Sequence, residues 1–154
     1  MSYGSVYNQF RNGKEALVAA AIERAGGDIE LVLAAVLDGA ETLAAGCATM
    51  FDYAASMLAT TDYRSGCPVG TAVGDGHTIP GVRTASAAAF ARWQALVAER
   101  AVGFGATPMA AEEFASAVVS LYEGSLLVAR ASHSTAPIEA ARAASIALAE
   151  RTAP

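Results

Sequence analysis

The sequence predicts an all-α domain, on three observations. About a quarter of its 154 residues are alanine, the strongest helix former. Apolar residues recur at spacings of three and four along most of the chain, as one buried helix face requires. No segment alternates apolar and polar over a strand's length. Val118-Val119 and Leu126-Leu127-Val128 are compatible with strands, but both lie inside a longer helical pattern. The length fits one domain with a substantial core.

Six helices are expected, with one more short one in a loop. Lys14 to Ala25 forms the first, and Gly26-Gly27 is expected to end it. Asp28 then caps a second, in which Ile29, Val32, Leu33, Val36 and Leu37 mark one face before a break at Asp38-Gly39. A third covers Ala40 to about Thr61, with Leu43, Cys47, Met50, Ala54, Met57 and Leu58 as its stripe. From Tyr63 to Val82 the texture is rich in Gly and Pro, so a loop is expected, with one short helix after Pro68. Thr84 starts the next long helix, which carries Phe90, Trp93 and Val97 and stops near Gly103 and Gly105. Thr107-Pro108 supplies a cap and a first helical residue for a helix running through Phe114, Val118 and Tyr122 to about Ala131. After the break "HSTAP", Pro137 opens a last helix to about Arg151.

Composition sets the next expectations. Hydrophobic residues make up 54% and charged residues 16%, and the mean hydropathy is +0.36. No stretch reaches the roughly 18 uninterrupted apolar residues of a membrane span, and no basic segment followed by an apolar run opens the chain. The apolar surplus is therefore assigned to the core and to a subunit interface, in a cytoplasmic protein without membrane contact. The last two long helices are apolar or alanine-dense on most sides and need burial on two. A homodimer is expected there, through Val118, Leu121, Gly124, Leu126, Ala141, Ala144 and Leu148.

The net charge is -5, while the first fourteen residues hold Arg11 and Lys14 and no acid. Removing that +2 leaves -7 on the remainder, a poor surface for nucleic acid. Only the N-terminal segment suits DNA.

Chemistry is sparse. Cys47 and Cys67 have no ligand-like spacing, and His77 and His133 are the only histidines. There is no nucleophile elbow, zinc-helix motif, phosphate loop or dinucleotide fingerprint. No catalytic residue, metal or cofactor is expected, although Cys67 before Pro68 could sit at a helix N-terminus, which lowers a thiol pKa. Soft and aromatic side chains instead suggest a ligand pocket between helices: Met50, Phe51, Met57, Cys67, Phe90, Trp93 and Tyr122. The same residues could equally fill a core.

The opening "YGSVYNQFRNGKEALV" resembles the second half of the DNA-binding domain of TetR-family transcriptional repressors. Gly4, Ser5, Tyr7 and Phe10 match the end of the recognition helix of that family's helix-turn-helix. Gly13, Lys14, Glu15, Ala16 and Leu17 match the turn and the start of its long connecting helix. "GCPVGT", with Cys67 to Thr71 after Gly66, is similar to a loop of the branch that includes multidrug-efflux repressors, and "YEGSLLVAR", Tyr122 to Arg130, to the dimerisation helix. The resemblance implies a TetR-repressor-like C-terminal helical bundle over 14–154, preceded in 1–13 by a remnant of the recognition helix. It further implies DNA contacts at Ser5, Tyr7, Gln9 and Lys14. The family's two preceding helices are not in this sequence, and operator binding is expected only where they are present. The implied mechanism is release from the operator by a small, largely apolar effector. A helical ligand-binding or scaffold protein without a DNA role stays open as the alternative.

Overall fold

The computed structural model describes residues 13–154. Six helices follow in order: α1 (Gly13–Asp38), α2 (Leu43–Thr60), α3 (Pro68–Gly76), α4 (Pro80–Gly103), α5 (Pro108–Ser132) and α6 (Ala136–Thr152). Among the described residues there is no strand. α1 lies along α4, α2 lies along α6, and α5 packs between α4 and α6. The short α3 bridges α1 and α4. Phe51, Phe114, Leu43, Leu58 and Ile138 are the largest side chains sealed in the core.

The caps explain most boundaries. Thr42 and Thr107 accept hydrogen bonds from the amides of Ala45 (3.0 Å) and Ala110 (3.3 Å), each satisfying one orphan donor of a first turn. α2 accordingly begins at Leu43 rather than Ala40. α4 begins at Pro80, four residues before Thr84, because Pro at the first turn needs no amide partner. Gly105, at φ +106°, turns the chain after α4 in a conformation that favours glycine.

The glycine pair does not end a helix: α1 runs unbroken through Gly26-Gly27 to Asp38. The reason is tertiary. A Cβ at Gly26 would stand 2.9 Å from the Cβ of Ala89 on α4, so only glycine allows this approach. The carbonyl of Gly26 accepts a buried hydrogen bond from Trp93 Nε1 at 2.9 Å. Glycine costs about 1 kcal/mol of helix propensity; the close contact and the indole bond offset it. Ion pairs Glu30–Arg92 (3.0 Å) and Asp38–Arg100 (2.6 Å) continue the same seam. At its start, the Glu15 carboxylate accepts from the Gly81 amide at 2.8 Å, tying the first turn of α1 to the first turn of α4.

The apolar face of α5 is divided. Val118 and Leu126 are sealed in the chain's own core, as is Ala141 of α6. These three, expected at a subunit interface, are buried within the chain itself. Leu121 and Leu148 are half-buried, while Gly124 and Ala144 are exposed. Besides Met109 in its first turn, α5 leaves the large apolar side chains Leu127 and Val128 open, 68% and 52% exposed. By length and composition α5 could cross a membrane; here it is the central helix of the bundle, packed on both sides.

Candidate functional site

A cavity of about 310 Å³ lies between α1, α2, α4 and α5. α1 contributes Asp28, Ile29, Val32, Leu33 and Val36, two adjacent stripes of one helix face. α2 adds Met50, Tyr53 and Met57. The turn into α3 adds Gly66, Cys67 and Pro68, and Trp93 closes one side from α4. α5 supplies Val119, Tyr122, Glu123 and Leu126. The walls are apolar, aromatic or thioether for the most part, with few polar groups, as in most small-molecule sites.

The polar groups gather around Glu123. Burial raises its pKa, and a hydrogen bond with Cys67 only partly opposes this. Cys67 occupies the N-cap of α3, and its Sγ accepts from the Gly70 amide at 3.4 Å. That position should lower its pKa. Burial first, and then the charge of Glu123, instead push the thiol up to about 12. Burial likewise raises the Tyr122 phenol, with Glu123 as the next cause. A thiol held protonated is a weak nucleophile, so the helix N-terminus does not activate Cys67. Gly70 makes room for the carboxylate: a Cβ there would overlap Glu123 Oε2.

Of the pocket residues expected from sequence, Met50, Met57, Cys67, Trp93 and Tyr122 come together on this cavity. Phe51 and Phe90 do not line it. Phe51 is fully buried and stands edge-on behind Tyr122, with ring centroids 5.5 Å apart. Phe90 stands in the same way against Trp93, at 5.2 Å. Both brace the wall. Sequence reasoning missed the α1 face, whose apolar positions read equally well as core. It also missed Glu123, whose signal was the one charged residue between Glu113 and Arg130 in the apolar stretch of α5. His77 is an exposed C-cap of α3, away from the cavity lining. Among the described residues no group of three His, Cys, Asp or Glu could hold a metal ion. The DNA-contact expectations for Ser5, Tyr7 and Gln9 lie outside the described residues, as does the side chain of Lys14.

Residues 44–144, which hold α2 to α5 and half of α6, match the family described as the C-terminal domain of LmrA/YxaF-like transcriptional regulators. The chain belongs to the TetR family of transcriptional regulators. An HTH-type transcriptional regulator of Mycobacterium tuberculosis, itself uncharacterized, is 32% identical over 143 residues, covering 88% of this chain and 71% of that protein. Among solved structures, a TetR transcriptional regulator from Legionella pneumophila superposes with a TM-score of 0.79 at 21% identity, over 100% of this chain and 81% of that one. Reduced NemR of E. coli gives 0.76 at 22% identity, over 94% and 78%. At those identities the two structures speak for the TetR fold alone.

Proposed function

We propose that this chain is the ligand-sensing and dimerisation domain of a cytoplasmic TetR-family repressor, released from operator DNA by a small, largely apolar effector. The observation that carries the reading is the double role of α1. Five of its residues line the cavity, and its N-terminal end continues directly from the segment with Tyr7 and Phe10 that resembles a recognition helix. An occupant of the cavity touches the helix that would aim the DNA-reading head. The Glu15–Gly81 bond ties that end of α1 to α4, whose Trp93 also faces the cavity. Release then follows if the effector binds better to the arrangement that misplaces the head, since coupling requires differential affinity for two states.

Dimerisation is assigned to the open side of α5 and α6: Leu127 and Val128, with Gly124 and Ala144 letting backbones approach. The acidic charge of the body favours the scaffold alternative only for a chain without reading heads. The test is an electrophoretic shift, using the chain joined to the two helices that the family places ahead of it, on DNA flanking its own gene. A sequence-selective shift, reversed by a compound that quenches Trp93 fluorescence, is expected. No selective shift, or one that no cavity-binding compound reverses, refutes the proposal.

A further inference from the structure

We infer that the cavity is built for an organic cation, a hydrophobic amine or quaternary ammonium whose charge rests against Glu123 while its apolar body fills the space beside α1 and α2. This rests on the ligand-sensing reading above and names the ligand class of that site.

The argument begins with pairing. Glu30, Asp38 and Asp52 each meet an arginine across a helix seam, at 3.0, 2.6 and 2.8 Å. Glu123 is half-buried, unlike the exposed Asp38 and Asp52, and, among the described residues, meets no arginine or histidine at ion-pair distance. Arg130, two turns further along α5, reaches Thr71 Oγ1 at 3.4 Å instead. Among the described residues, the side-chain partner of the Glu123 carboxylate is the Cys67 thiol, a weak donor. A buried carboxylate without a cation is costly. Nothing in the packing asks for one there, since a neutral amide would fill the same volume.

The remaining walls fit the other half of such a ligand. Tyr53, Trp93 and Tyr122 offer aromatic rings to a cation. Met50 and Met57 adapt to an apolar body. Asp28 adds a second carboxylate at the exposed rim, where Arg24 approaches only to 4.0 Å. Among the described residues no lysine or arginine lines the cavity, although Arg130 stands behind Gly66 at its edge. An anionic ligand would meet two carboxylates and no cation. A sugar-like ligand would find few partners, because the Trp93 N–H is already given to Gly26.

Benzyltrimethylammonium and neopentylbenzene have the same shape and differ by one charge. Both fit a volume of about 310 Å³, and the single tryptophan reports their binding by fluorescence. The cation is expected to bind at least tenfold more tightly to the wild-type chain, which needs no variant. Glu123→Gln is expected to erase most of that preference and leave neopentylbenzene binding in place. Acidification is expected to weaken the cation alone. The titratable and charged groups on the elements around Glu123 are Cys67 before α3, Tyr122 and Arg130 on α5, Tyr53 on α2 and Asp28 on α1; Asp28→Asn separates the rim carboxylate, and its acid profile should match wild type. Equal or tighter binding of neopentylbenzene, unchanged by Glu123→Gln, overturns the cation inference and leaves ligand sensing standing. Binding of neither probe, by fluorescence or by thermal shift, overturns both.

Discussion

Replacing Gly26 by alanine sets helix propensity against packing, and Gly27→Ala supplies the matched control. Both sit in the interior of α1, so each substitution gains about 1 kcal/mol of propensity. Their surroundings differ. At Gly27 a new Cβ meets nothing within 4 Å, whereas at Gly26 it meets Ala89 Cβ at 2.9 Å and Arg92 Nη2 at 3.3 Å. The arginine end can swing away; the Ala89 methyl, fixed to the α4 backbone, cannot. α1 and α4 must separate by several tenths of an ångström, which also stretches the Trp93–Gly26 hydrogen bond. Overpacking of this kind costs about 1–3 kcal/mol. Gly27→Ala should therefore stabilise by up to about 1 kcal/mol, and Gly26→Ala should be neutral or destabilise by up to about 2 kcal/mol. The propensity term cancels between them, so their difference, about 1–3 kcal/mol, is the packing cost. For a chain of this length each kcal/mol moves the melting temperature by about 2–4 °C. Urea and thermal unfolding at one protein concentration read the difference. Equal midpoints for the two variants would refute the claim that close approach keeps Gly26.

Other outcomes follow from the same geometry. Leu127→Glu and Val128→Glu place charge on the open face of α5 without touching the core, so sedimentation should show monomers with unchanged helical circular dichroism; persistent dimers would move the interface elsewhere. Glu123→Gln should stabilise the ligand-free chain at neutral pH. Its folded pKa is raised, so the wild type loses stability as pH rises through that value, and the variant's advantage should disappear in acid. A variant that is less stable at neutral pH would make Glu123 a structural residue. Burial raises the Cys47 and Cys67 thiols from 9.0 to about 12. Below pH 9 their contribution is fully present, and it is lost as pH rises from 9 towards 12, so alkaline unfolding should be blunted in Cys47→Ala/Cys67→Ala. Native thiol alkylation at pH 8 should also be far slower than for a free thiol.

Much of the architecture was legible in the chain because its signals are local. Thr107-Pro108 announces a helix start through an orphan amide and a fixed φ, whatever lies around it. The 3-4 recurrence through Ile29, Val32, Leu33 and Val36 reports a covered face, and the apolar run of α5 reports a central helix. The order Gly4-Ser5, Tyr7, Phe10, Lys14, with Cys67 to Thr71 and Tyr122 to Arg130, carries the resemblance to the TetR family. What covers each face is another matter. Gly26-Gly27 reads as a stop because propensity counts only the helix's own backbone; Ala89 and Trp93, more than sixty residues away, make it a junction. Ile29 and Val32 look like core until the fold leaves a space beside them. Phe51 and Phe90 look like pocket residues until Tyr122 and Trp93 stand in front of them. Cys67 lies at a helix N-terminus as the sequence suggests, yet burial beside Glu123 reverses the expected effect on its thiol. Periodicity and capping were determined by residues near one another in the chain, and the family by short motifs in order along it. The cavity and its charge were decided by residues that only the packed helices bring together.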